Sequence, residues 1–139
     1  MIWKVKPTPE IMQRFPNKSM GDFLGIEFIE FGDDYIVARM PVNERTQQPF
    51  GLLHGGASCV LAESLGSVAS TLCIDIEKQL AVGLEINANH IRSARTGFVY
   101  GKVTPINVGR TVHVWNIEIT NEEKKIVCVS RLTVSVIQR

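Results

Sequence analysis

His54-Gly55-Gly56-Ala57-Ser58-Cys59-Val60-Leu61-Ala62-Glu63-Ser64-Leu65-Gly66-Ser67-Val68-Ala69-Ser70-Thr71-Leu72-Cys73 carries one formal charge, Glu63, and it is the only one in the 29 residues between Arg45 and Asp75. From Gly55 to Cys73 apolar residues recur around most of a helical circumference, which predicts a buried helix. The length would also suit a membrane span. A central Glu63 and the hydroxyls of Ser58, Ser64, Ser67, Ser70 and Thr71 make the segment too polar for that.

Upstream, Val42 to Gly51 is polar, broken by proline and aperiodic, so it reads as the loop that delivers the chain to the helix. Ile26 to Pro41 predicts a hairpin, with Gly32-Asp33-Asp34 as the turn and Ile36, Ala38 and Met40 alternating with Tyr35, Val37 and Arg39. Two short peripheral helices are expected before it. One starts at Thr8-Pro9-Glu10 and ends by Pro16; the other opens at Ser19 with Asp22 three residues on and stops at Gly25. Downstream, strands are expected over Leu80 to His90, Gly97 to Ile106, Thr111 to Thr120 and Ile126 to Ile137. Leu80, Val82, Leu84, Ile86 and Ala88 are apolar at even positions, which predicts one packed face with Glu85, Asn87 and Asn89 on the other. Two strands, one helix, then four strands describe an α+β arrangement: an antiparallel sheet of about six strands wrapped around one long central helix.

A length of 139 residues suits a single domain, 1–139, and 45% hydrophobic with 21% charged residues is far from the signature of disorder. Fifteen basic against fourteen acidic residues leave a net charge of +1, too weak a field to attract nucleic acid or an anionic membrane. Any recognition of anions must be local. The first residues have no apolar core of signal-peptide length, so a cytoplasmic location is expected. Cys59, Cys73 and Cys128 are odd in number and lie among apolar residues, which suits reduced thiols; the Asn17-Lys18-Ser19 sequon is then idle.

Within the helix, Glu63 demands a reason, because burial disfavours an ionised carboxylate that lacks partners. It is either a general base or nucleophile, or an acid paired across a subunit interface. Gly56, Cys59, Glu63, Gly66, Ser67 and Ser70 form a stripe of small residues opposite Leu61, Leu65, Val68 and Leu72. That stripe either admits a close-packed neighbour or leaves room for a substrate, with Ser67 one turn from Glu63 and able to hold a water. Gly55-Gly56 at the helix start should expose backbone N–H groups at the positive end of the helix dipole, an oxyanion site if a carbonyl approaches. His54 and Gln48 stand just upstream as further donors, although each could equally be an ordinary loop residue.

No acid lies between Glu85 and Glu118, whereas Arg92, Arg95, Lys102 and Arg110 all do. This local positive interval is either a solvated sheet edge or a phosphate site built from His90-Ile91-Arg92-Ser93 and the turn Asn107-Val108-Gly109-Arg110. Metal binding by His54, Glu63, His90 and His113 lacks any ligand spacing, and no Gly-x-Ser-x-Gly elbow supports a serine nucleophile.

Gln48-Pro49-Phe50-Gly51-Leu52-Leu53-His54-Gly55-Gly56-Ala57, Ala62-Glu63-Ser64 and Gly83-Leu84-Glu85-Ile86-Asn87-Ala88-Asn89-His90 together resemble the hotdog-fold acyl-CoA thioesterases of the 4-hydroxybenzoyl-CoA type. The likeness covers nearly the whole chain and is strongest to the bacterial branch of 1,4-dihydroxy-2-naphthoyl-CoA hydrolases and aroyl-CoA thioesterases. It implies dimers with one continuous sheet, paired into a homotetramer with active sites between subunits. It implies Glu63 as catalytic carboxylate, the Gly55 N–H polarising the thioester carbonyl, Gln48 and His54 positioning it, and Ser67 and His90 serving the leaving group or the water. Coenzyme A, as part of the substrate and with no separate cofactor, would contact Gly83, His90, Ile91, Arg92, Ser93, Asn107, Val108, Gly109, Arg110, Thr111 and Val112. Two other activities fit the same residues: a hydratase or dehydratase acting on an enoyl or hydroxyacyl thioester, and a non-catalytic acyl-CoA-binding module.

Overall fold

In the computed structural model, which describes residues 1–15 and 19–139, the chain runs α1 (Pro9–Met12), α2 (Met20–Phe23), β1 (Glu27–Phe31), β2 (Ile36–Pro41), α3 (Gly55–Cys73), β3 (Gln79–His90), β4 (Phe98–Val108), β5 (Val112–Thr120) and β6 (Ile126–Gln138). Pro16 and the Asn17-Lys18 part of the sequon lie outside the described residues. Thr8 caps α1, its hydroxyl accepting from the Ile11 N–H at 3.2 Å, and Pro9 follows at the first turn. Ser19 and Asp22 form the expected capping box, and Gly25 ends that segment at φ +80°, where a side chain would be strained.

The six strands form one antiparallel sheet in the order β1-β2-β4-β5-β6-β3. It curls around α3. Leu61, Leu65 and Ala69 of the helix are fully buried against Ile36, Val103, Trp115, Ile117 and Leu132 of the strands. Gly66 and Gly101 mark the closest approaches, since a Cβ on either would run into Leu132 or into Leu65 and Leu61. The first residues strap the open end: Lys4 and Val5 donate to the Leu72 carbonyl at 2.9 and 3.1 Å, and Trp3 stacks on Trp115 with ring centroids 6.4 Å apart. Although α3 is long and apolar enough to cross a membrane, half of that stretch is buried against the rest of the chain.

The helix is not buried all round, as its composition predicts. Ala57, Ser58, Leu61, Ala62, Leu65, Gly66, Ala69, Ser70 and Leu72 are buried, while Cys59, Val60, Ser64, Ser67 and Val68 are half-buried and Glu63 is exposed. The sheet has two edges, β1 and β3, that do not meet, so one helix face stays uncovered. The small-residue stripe therefore splits: Gly66 and Ser70 lie on the buried side with the leucines, and Val68 lies on the open side with Glu63 and Ser67.

The even-position face of β3 also needs correcting. A bulge between Gly83 and Glu85 inserts Leu84 into the ladder, so the alternation changes phase. Ile86 pairs with buried Leu132 and Ala88 with buried Ser130, facing the helix, whereas Leu80 pairs with exposed Ile137 on the outer face. Leu80, Val82 and Leu84 are exposed in the single chain.

Candidate active site

The Arg45–Leu53 loop reaches α3 through fixed backbone contacts, because the His54 N–H donates to the Thr46 carbonyl and the Leu53 N–H to the Ala94 carbonyl, both at 2.8 Å. His54 is the N-cap. Its Nδ1 accepts from the Gly56 N–H at 2.8 Å, which places the ring proton of the neutral imidazole on Nε2, facing outward. The expected pair of free amides is therefore reduced to one. The Gly55 N–H has no acceptor among the described residues, and it lies at the positive end of a 19-residue helix.

Glycine at 55 has a further use, since a Cβ there would lie 2.9 Å from His90 Nε2. The His90 ring packs directly over this turn. Gln48 folds back on its own loop: its Oε1 accepts from the Phe50 and Leu52 N–H groups, so the amide NH₂ is the end left to meet a ligand. Gln48, Gly55, His90, Ile91, Arg92 and Ser93 line one cavity of about 310 Å³. Arg92 is partly committed there, because it donates to the Ile126 carbonyl at 2.7 Å.

Glu63 and Ser67 open into a different cavity of about 600 Å³. The face of α3 is its floor, Ile86 of β3 stands on one side, and Ile26 and Phe28 stand on the other. Gly83 lies beside the carboxylate, where a Cβ would make an ordinary contact 3.8 Å from Glu63 Oε1. Cys59, one turn before Glu63, has its thiol pKa raised by burial and by the Glu63 charge, which keeps it in the protonated form. Burial pushes the thiols of Cys73 and Cys128 up to about 11.

The sequence-predicted residues thus gather in two places. Gly55 and Glu63 lie eight residues apart on one straight helix, about 12 Å along its axis, so a single carbonyl cannot touch both within one chain. The expected coenzyme site is divided in the same way. His90 pairs with Cys128 and Val112 with Ser135, seven residues along β6, which separates them by about 23 Å. Nor is 107–110 a free turn: Asn107 and Val108 continue β4, and the Gly109 N–H and Asn107 side chain both donate to the Val112 carbonyl. Lys102 lies over the Tyr35 ring on the outer face, away from Arg92.

Beside this turn lies His113, which the sequence offers only as a metal ligand without supporting spacing. His113, 2% exposed, bonds through Nδ1 to Ser70 Oγ at 2.9 Å, and Trp115 Nε1–H donates to the same oxygen at 2.7 Å. With Trp115 donating, the Ser70 proton goes to Nδ1, and His113 Nε2–H meets the Gly109 backbone. Burial lowers the His113 pKa, opposed by that Gly109 bond. Its side-chain partner Ser70 lies 43 residues away on α3, so no local pattern reveals the contact.

A six-stranded antiparallel sheet curled around one long helix is a hotdog scaffold, here with a carboxylate on the open helix face and, at the helix start, an amide without an acceptor among the described residues. Residues 50–128 match the thioesterase superfamily, and the chain belongs to that family. It is 53% identical over 137 residues to the 1,4-dihydroxy-2-naphthoyl-CoA hydrolase of Escherichia coli K12, covering 99% of this chain and 100% of that one. The proofreading thioesterase EntH of Cronobacter turicensis is 45% identical over 136 residues, covering 98% of each chain. Among solved structures, a mutant of thioesterase PA1618 from Pseudomonas aeruginosa superposes with a TM-score of 0.97 at 48% identity over 100% of both chains.

Proposed function

We propose that the protein hydrolyses the coenzyme A thioester of a bulky apolar acid, with aromatic acyl groups such as 1,4-dihydroxy-2-naphthoyl or benzoyl in first place, releasing free acid and coenzyme A. The observation that carries this reading is the pairing of an exposed Glu63 carboxylate with an otherwise largely apolar cavity of about 600 Å³, a volume within the ~300–1,000 Å³ of ordinary ligand sites. The naphthoyl-CoA substrate named for the Escherichia coli relative supports the aromatic acyl group.

In this mechanism the Gly55 N–H, reinforced by the α3 dipole, holds the thioester oxygen as negative charge develops on it. Gln48 and His54 Nε2–H orient the carbonyl. Glu63 then acts on the carbonyl carbon, either by taking a proton from water held near Ser67 or by attacking directly to give a mixed anhydride. His90 guides the departing thiolate. The 12 Å between Gly55 and Glu63 makes the site a shared one: Gly55 of one chain serves Glu63 of the partner subunit. A two-fold pairing of the exposed β3 edges runs two α3 helices antiparallel, which brings the start of one toward the middle of the other. The exposed Leu80, Val82 and Leu84 support burial against further copies, in a tetramer built from two dimers. The same assembly would join His90–Ser93 of one chain to Gly83 and 107–112 of another around the coenzyme. Free thiols at all three cysteines fit a reducing, cytoplasmic setting.

Release of free thiol from a panel of aroyl- and fatty-acyl-CoA esters tests the reading. Glu63→Gln preserves shape and should lower kcat by about 10²–10⁴; unchanged kcat would refute the role of Glu63. Single turnover in labelled water tests the direct attack, because label found in the Glu63 carboxylate requires water to open an anhydride at that carbonyl and eliminates the pure general-base route.

A further inference from the structure

The cavity beside Glu63 is not closed by the helix and sheet alone. Its remaining wall is Met12 and Phe15 from α1 and the residues after it, and Met20 and Asp22 from α2. These residues precede β1, so the wall is contributed by the chain ahead of the sheet. Glu63 stands on the β3 side, with Gly83 beside its carboxylate, whereas α2 leads through Leu24 and Gly25 directly into β1. A group attached to a carbonyl at Glu63 therefore crosses the face of α3, passes Val60, and ends against Phe15 and the two methionines.

We infer that α1 and α2 form the wall that sets the size limit of the acyl group, with Met12, Phe15 and Met20 as specificity-determining residues. This inference rests on the proposed hydrolysis of acyl-CoA esters at Glu63. The chemistry of the wall matches a flat or branched apolar acid. Phe15 offers an aromatic face for stacking, and two unbranched thioethers adapt to ring or chain without leaving voids. Neither short helix fully buries a residue of its own, while Met12 and Phe15 pack against the core, so a denaturation midpoint for each variant separates a change of the wall from a loss of folding.

The experiment compares kcat/KM over acetyl-, hexanoyl-, palmitoyl-, benzoyl- and naphthoyl-CoA for the wild type, Phe15→Ala, Met12→Ala and Met20→Trp. Truncation should raise the ratio of palmitoyl to hexanoyl turnover by about tenfold or more, the scale on which a pocket discriminates by size. Met20→Trp fills the cavity and should move the same ratio, and that of naphthoyl to acetyl, in the opposite direction. Ratios within a factor of about two of wild type in all three variants overturn the assignment of the wall, given that scale. A wild type that turns over none of the esters overturns the hydrolase reading and this inference with it, a result distinct from an active enzyme with an unmoved profile.

Discussion

Ser70 is the residue whose loss should cost the fold most for the fewest atoms removed. Ser70→Ala leaves the Trp115 Nε1–H and the His113 Nδ1 without their partner in the buried core, and should lower stability by about 2–4 kcal/mol in chemical denaturation. His113 adds a pH dependence of definite sign. Its folded pKa lies below the unfolded value of about 6.5, so the unfolded chain binds a proton first as pH falls. Stability is therefore full above about pH 6.5 and declines below it; His113→Gln should flatten that decline between about pH 7 and pH 5. The residues proposed for the site stand out in the sequence, because Glu63 is the lone charge of its segment and Gly55-Gly56 follows a loop. Their environment does not. Glu63 reads as buried from helix composition, yet the decision belongs to two sheet edges that stop short of each other, a long-range property.

At the scale of elements, α3 and its surroundings tolerate no added bulk at Gly66, where even a methyl group meets Leu132. Gly66→Val should destabilise by about 2 kcal/mol, through overpacking and a β-branched side chain in a helix, read as a lowered denaturation midpoint without a change in slope. The ends of α3, the β1–β2 hairpin and both capping motifs followed from short-range signals: a glycine pair, a Gly-Asp-Asp turn, a Thr-Pro-Glu start for α1, and a serine with an acid three residues on for α2. Strand β3 shows the limit of such signals. Five apolar residues at even positions predict one face, and a single unpaired Leu84 turns Leu80 and Val82 away from the side that holds Ile86 and Ala88. A bulge leaves no mark in hydrophobic periodicity when apolar residues stand on both sides of it.

For the whole molecule, the decisive test of a shared site is complementation. Gly55→Pro removes the N–H at the first helical position, where the backbone suits proline but the ring also displaces the His90 side chain of the same chain, and Glu63→Gln removes the carboxylate. Alone, Gly55→Pro should lose about 10²–10³ in rate and Glu63→Gln about 10²–10⁴, and an equal mixture, refolded together, should recover about one quarter of wild-type activity, because half the dimers then carry one intact site of two. No recovery would show that each chain works with its own Gly55 and Glu63. The Trp3–Trp115 stack has a separate consequence. The chain contains two indoles, and both belong to this one contact between the leading residues and the centre of the sheet. Ultraviolet absorption and emission therefore watch a single latch, and an exciton signal lost before the far-ultraviolet ellipticity would time its release ahead of global melting.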